Sequence, residues 1–301
     1  MNNKELYQEI KEILKHNTPI VERSTSLVGD MKNNPNDMAE YLPKILQQVK
    51  ESGLIMPKTL IIKLPPEFVV ETVNGTWTNE KKKITNDLIL KYLSEMGFKD
   101  DILFIKTGTF SSKFNFEQCQ TNREHLTDNF IEILYNSVLC GAGTVNTLIV
   151  REYIEEEENS FYIYNGMPLR EEIRYFVDFD NKKVLGYADY WNEKAMTELI
   201  HQDLSLNEAI VEANNTNGLP DYKKQRYADF KNWYRWHKTR KENSPQETYQ
   251  NTITFIEKFV NQDNDLKGRW SIDIMPCNDQ YYFIDAALMN QSALVDLMVK
   301  I

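Results

Sequence analysis

The run Trp270-Ser271-Ile272-Asp273-Ile274 is followed, across Asn278-Asp279, by Tyr281-Tyr282-Phe283-Ile284-Asp285. Two strand-like runs around a turn predict a β-hairpin in which each strand delivers one carboxylate. Alternation sets Ile272 and Ile274 on the face opposite Asp273. In the second run Tyr282 and Ile284 share a face opposite Phe283 and Asp285. An acid at the same end of each of two paired strands lets both carboxylates converge on one cation. Hard Mg²⁺ takes that arrangement, with phosphate oxygens completing its shell. The same residues also read as an ordinary hairpin with two solvent-facing acids, and the hairpin alone leaves both readings open.

Upstream, Glu171–Phe179 and Lys182–Trp191 predict a second hairpin around Asp180-Asn181. Its alternation puts Glu172, Arg174 and Phe176 on one face. A charged residue in mid-strand needs a partner, so Arg174 either pairs with Glu172 or is aimed at a ligand phosphate. Thr59–Leu64 reads as a buried strand stopped by Pro65-Pro66, and residues 84–96 as a helix ended by Gly97. Asp101–Lys106 is a strand that runs into Thr107-Gly108-Thr109-Phe110-Ser111-Ser112-Lys113, a hydroxyl-rich turn with Lys106 and Lys113 at its ends. Backbone N–H groups, hydroxyls and two ammonium groups suit nucleotide phosphates; a hairpin turn with solvated lysines is the alternative. No Walker loop and no Lys-x-Asp-Gly nucleotidyl-transferase core is present. After a helix over 124–139, Leu148–Ile154 is a strand whose exit, Arg151-Glu152-Tyr153-Ile154, can offer backbone groups to an adenine edge, or can simply lead into the acidic loop Glu155–Glu158.

The 301 residues carry a net charge of −10, which argues against nucleic-acid binding through a wholly basic surface. Cys119, Cys140 and Cys277 are scattered and odd in number, and the four histidines lack ligand spacing. Neither a disulfide framework nor a zinc site follows. No apolar run is long enough to span a bilayer, and a cytoplasmic protein is the expectation. Helical patterns over 5–15 and from Met38 to Val49 flank a loop from Val28 to Asp37. Lys194–Pro245 reads as a helical insertion with two helical patterns, and a further helix runs through Tyr249, Ile253, Ile256 and Phe259. The insertion interleaves Lys231, Arg235 and Lys238 with Tyr227, Phe230, Trp233 and Tyr234. It reads either as an amphipathic element packed on the core or as a platform for single-stranded nucleic acid.

In this order the elements resemble an ATP-grasp fold, and specifically the cell division cycle protein 123 family. They are also similar to the bacterial and phage ATP-grasp clade named for one arginine and two lysines. The matching residues are Pro57-Lys58-Thr59, Lys106 and Lys113, the hinge near Val150–Ile154, Glu172-Ile173-Arg174-Tyr175-Phe176-Val177, and Asp273 with Asp285. The resemblance implies an α+β protein binding ATP between two mostly antiparallel sheets. Residues 1–56 would form a helical region and 57–147 an N-terminal lobe. Residues 148–301 would form a C-terminal lobe carrying the insertion at 194–245. Lys106 and Lys113 would hold phosphates, Arg151, Glu152, Tyr153 and Ile154 the adenine, and Arg174 the γ-phosphate charge. Asp273 and Asp285 would bind Mg²⁺. The family's amide two residues after the second aspartate is Ala287 here, so Asn290 is the nearest substitute. Its Gln-Arg pair is replaced by Ala188-Asp189. The activity implied is an ATP-dependent ligase joining a carboxylate to an amine or thiol through an acyl phosphate. The alternatives are a non-catalytic ATP-binding assembly factor with a protein partner, and an RNA-binding or RNA-modifying protein.

Overall fold

The computed structural model describes Gln8 and residues 34–142, 145–155, 161–240, 244–263 and 265–301. Apart from Gln8, the helix expected over 5–15 lies outside the described residues, as does most of the loop from Val28. The chain divides into two compact units. One comprises Met1–Lys44 with Pro57–Ile154, the other Ile45–Met56 with Glu155–Ile301.

The first unit is a four-stranded antiparallel sheet with helices. Its strands are β1 (Thr59–Lys63), β2 (Ile102–Thr107), β3 (Gln120–Asn122) and β4 (Thr147–Glu152), in the order β1-β4-β2-β3. Its helices are the start of α1 (Met38–Ser52), then α2 (Pro66–Asn74), α3 (Asn79–Glu95), α4 (Phe116–Cys119) and α5 (Leu126–Leu139). Leu60 and Ile62, Leu103 and Ile105, and Leu148 and Val150 are buried alternate residues of the three long strands. Helix α5 packs against β2, and Phe130 of α5 meets Phe68 of α2 with ring centroids 6.0 Å apart. Two expectations change. Pro65-Pro66 does not merely stop a strand: Pro66 takes the first position of α2, where its missing N–H costs nothing. Helix α3 begins well before residue 84, because Thr78 caps it by accepting from Lys81 N–H.

The second unit is built on a five-stranded antiparallel sheet. Its strands are β7 (Ile173–Asp178), β8 (Lys183–Asp189), β9 (Arg269–Cys277), β10 (Gln280–Leu288) and β11 (Val299–Lys300), in the order β10-β9-β7-β8-β11. Both expected hairpins form. A small hairpin pairs β5 (Tyr162–Ile163) with β6 (Met167–Pro168), so Met167-Pro168 is a strand partner where a strand break was expected. One sheet face is apolar and lies under α9 (Ser244–Asn261). Tyr175 meets Thr252 Oγ1 at 2.6 Å, Tyr187 stacks on Tyr249 at 4.2 Å, and Phe283 meets Phe259 at 6.2 Å. The helix presents Thr252, Ile256 and Phe259 at helical spacing, which makes this the buried face.

Among its described residues the insertion contains three helices where two patterns were expected: α6 (Glu193–Glu198), α7 (Leu206–Asn214) and α8 (Asp221–Thr239). A Ser205–Glu208 capping box starts α7. Tyr227, Phe230, Trp233 and Trp236 of α8 are buried, so these rings serve the core and are not a stacking platform. Arg240, just after α8, grips Glu171 through Nε at 2.7 Å and Asp189 through Nη1 at 3.0 Å, ties that anchor the insertion to the sheet. His237 stacks on Trp233, and its Nδ1 is buried with no hydrogen-bond partner among the described residues. Burial first, and then the Arg240 charge, hold its pKa below the ordinary 6.5, against the pull of Glu193 and Asp189. The folded state therefore disfavours the proton that the unfolded chain accepts. This contribution to stability is present above pH 6.5 and is lost as pH falls toward the lowered pKa. The melting temperature is expected to drop between about pH 7.5 and 5.5, and more steeply than in His237→Gln. Equal slopes in a thermal scan would remove His237 from the effect.

Candidate functional site

In the second unit the sheet face away from α9 carries the predicted acids and the arginine. Arg174 of β7 lies opposite Asp273 of β9, and Asp273 lies opposite Asp285 of β10. The last pairing depends on an irregularity. From Gln280↔Cys277 to Phe283↔Ile274 the ladder is regular, and continued unchanged it would set Asp285 against Ile272. The register instead shifts between Phe283 and Asp285, and Asp285 falls opposite Asp273. Ile284 is the extra residue of a β-bulge, a device that re-aims one side chain. The result is a row of three charged side chains, Arg174, Asp273 and Asp285, across three neighbouring strands.

Arg174 grips Asp273 with both ends of its fork, Nε to Oδ1 and Nη2 to Oδ2, each at 2.7 Å. Its Nη1 donates to the Ala293 carbonyl at 3.2 Å, and its plane lies 5.1 Å from the Tyr190 ring centroid. The expected pairing with Glu172 is thus corrected: the partner is Asp273, which faces Arg174 directly across the ladder. Burial opposes the guanidinium charge, but the Asp273 carboxylate outweighs it and holds the arginine above its ordinary pKa. Three of the five N–H groups are used. Asp285 is half-buried, and its Oδ1 accepts from Ala286 N–H at 3.0 Å. Asn290 is exposed in a tight turn, Met289–Gln291, that follows β10. Ser271, two residues from Asp273 and on its face, meets Ser292 at 2.6 Å.

The donor set fits a hard divalent cation. Two carboxylates stand side by side, and each Asp273 oxygen keeps a second lone pair beyond its bond to Arg174. No group of three or more His, Cys, Asp or Glu able to hold a metal occurs among the described residues. To hold a metal this pair would need oxygens from elsewhere, since it is no self-sufficient metal cage.

In the first unit Lys106, near the end of β2, lies opposite Ile149, and Phe104 lies opposite Arg151 on β4. Cross-strand partners and alternate residues share a face, so Lys106 and Arg151 point the same way. Lys106 is buried close to Cys119, whose thiol burial pushes up to about 12 while the lysine charge partly offsets the rise. Arg151 is buried and reaches Met38 Sδ at 3.1 Å. Glu152 forms an ion pair with Lys58 at 2.8 Å, and Tyr153 lies near Phe116 with rings 6.4 Å apart. Ile154 is the last residue of the unit. Lys113 opens a single 3₁₀ turn, with its ammonium 5.6 Å from the Phe114 ring. The Thr107–Lys113 segment is therefore not a hairpin turn, since it leads into a helical turn and α4.

Sequence reading missed what fixes that segment. Asp37 is buried ahead of α1; its Oδ1 accepts from Ala39 N–H at 3.0 Å and its Oδ2 from Thr147 at 2.7 Å. Met38 N–H donates to the Gly108 carbonyl, and Gly108 N–H donates to the Thr147 carbonyl. Burial raises the Asp37 carboxyl, against those two hydrogen bonds. An aspartate immediately before a helical pattern is a capping signal that could have pointed here.

No helix among the described residues is long and apolar enough to cross a membrane. No family model matches the chain, and no curated protein matches it. Among solved structures the chain is similar to Cdc123 from Schizosaccharomyces pombe, with 13% identity over 88% of this chain and 90% of that one, at a TM-score of 0.48. It is also similar to the ATP complex of D-alanine–D-alanine ligase from Bacillus anthracis, with 10% identity over 88% of this chain and 56% of that one, at 0.35. A RimK domain ATP-grasp protein from Sphaerobacter thermophilus matches with 10% identity over 97% of this chain and 71% of that one, at 0.34.

Proposed function

We propose that this chain is an ATP- and Mg²⁺-binding protein of the ATP-grasp kind. Its activity is that of a ligase joining a carboxylate to an amine or thiol by way of an acyl phosphate. The observation that carries the reading is the Arg174–Asp273–Asp285 row, brought into line by a bulge at Ile284. The irregularity sets a second carboxylate beside one that is already paired. A cation shared by both, with phosphate oxygens alongside, gives the arrangement a purpose. Asp273 and Asp285 would hold Mg²⁺, with Asn290 as a further oxygen donor, and the metal would supply charge neutralisation at the phosphates. Arg174 would orient a phosphoryl oxygen through N–H groups that Asp273 does not use. Lys106 and Lys113 would bind phosphates, and the Arg151–Ile154 exit would take the adenine. Such chemistry asks a protein mainly to position reactants and balance charge, so no nucleophilic side chain is required.

A second reading, ATP binding without turnover in an assembly factor, is favoured by one feature. Asp273 already spends its charge on Arg174, and Ala287 supplies no amide beside it. Both readings expect calorimetry to detect Mg-ATP binding. Lys106→Ala in one unit and Asp285→Asn in the other should each weaken it about tenfold or more. Unchanged affinity in either variant removes that residue from the site. Sustained ADP release with carboxylate and amine mixtures selects the ligase; saturable binding with no ADP selects the assembly factor.

A further inference from the structure

The segment after β10 crosses the charged sheet face. Ser292 is anchored, its Oγ meeting Ser271 Oγ at 2.6 Å and donating to the Leu288 carbonyl at 2.9 Å. Ala293 then places its carbonyl on Arg174. Leu294 adopts φ +70°, a left-handed conformation that a branched side chain rarely takes. Further on, Met298 lies over Gly186, where an added Cβ would come within 2.7 Å of Met298 Cγ and 2.3 Å of the Val299 carbonyl oxygen. Gly186 lies opposite Phe176, on the face of Arg174, so the segment passes from β9 over β7 to β8. It ends as β11, with Val299 opposite Tyr187 and Lys300 opposite Gly186. None of the side chains from Ala287 to Ile301 is buried. The crossing is thus held at its two ends and by Arg174, with no core of its own, which is how a low-stability segment is built.

We propose that residues 293–301 are an autoinhibitory strap over Arg174. The Ala293 carbonyl takes the Nη1 N–H that an anionic ligand oxygen would otherwise take, and the strap swings away about Ser292 when such a ligand binds. Ser292 and the 289–291 turn, which carries Asn290, stay with the sheet while the strap moves. In identifying the anion as a nucleotide phosphate, the proposal rests on the reading above. The bound strap lowers apparent ligand affinity by the fraction of molecules in which it is open.

The test uses Val299→Pro, an exposed position in a two-residue edge strand where proline cannot sustain the pairing. Gly186→Ala serves as a second variant that lifts the same end sterically. Without ligand, hydrogen exchange of residues 293–298 in Val299→Pro should rise about tenfold over wild type. A rise confined to 299–301 would overturn the strap as one unit. In calorimetry with Mg-ATP, Val299→Pro should bind about three- to tenfold more tightly than wild type. Equal affinity, or weaker affinity in both variants, overturns the strap and leaves the nucleotide reading standing. No Mg-ATP binding by wild type or variant overturns the nucleotide reading, and with it the masking of Arg174 from nucleotide.

Discussion

Asp273→Ala is expected to destabilise the protein by about 3–5 kcal/mol, read from urea or thermal unfolding. The pair it breaks is nearly enclosed: the Arg174 side chain is 13% exposed and that of Asp273 is 8% exposed. Two charged hydrogen bonds of 2.7 Å offset the desolvation of the guanidinium while both partners are present. Removing the carboxylate leaves a buried cation with the Ala293 carbonyl, the Tyr190 face and the charge of Glu172 to offset its desolvation, and it cannot shed its proton. Arg174→Met combined with Asp273→Leu should recover most of the loss, because an apolar pair of similar volume fills the site without a charge. The double variant should still lose Mg-ATP affinity, since stability and ligand binding draw on different properties of the pair. A single Asp273→Ala variant as stable as wild type would contradict the coupling of these residues.

Gly108→Ala is expected to cost about 2–4 kcal/mol. A Cβ at this position would stand 1.9 Å from Asp37 Oδ1 and 2.7 Å from its Cγ. Either the turn must retreat, breaking the Met38–Gly108 and Gly108–Thr147 backbone bonds, or Asp37 must leave Ala39 and Thr147. In the second case α1 loses its cap and a buried carboxylate loses its donors. The two routes are separable. In Asp37→Ala/Gly108→Ala the clash is gone, so the double variant should be about 1–2 kcal/mol less damaged than the sum of the single variants. Additive losses in chemical denaturation would mean that the turn, and not the aspartate, yields.

Much of the fold was legible because its signals are local. The Trp270–Asp285 hairpin has a turn and two alternating runs, α1 has helical spacing stopped by Gly53 at φ +94°, and the β7–β8 hairpin has its own short link. Each can be read within about twenty residues. Helix α2 was lost because Pro-Pro signals a strand stop and a helix start with equal force, and only tertiary burial of Phe68 and Val69 decides between them. The partner of Arg174 was lost for a different reason. Glu172 is two residues away and Asp273 is ninety-nine, and no periodicity reveals which strand will lie beside β7. The tie between Asp37 and Gly108 is also long-range, although its capping half is visible in sequence. The aromatic rings of the insertion carry two meanings in sequence, and burial assigns Tyr227, Phe230, Trp233 and Trp236 to the core while leaving Tyr234 half-buried and Tyr222 exposed.

The extra residue at Ile284 has a consequence for how such a locus is encoded. Counting along a hairpin, odd and even positions normally tell which way a side chain looks, and here the count is off by one. Whether the second acid joins the first is therefore decided by whether Ile284 is looped out of the ladder, and not by the acid itself. The same letters in an unbroken ladder would set that aspartate against Ile272, looking toward the helix.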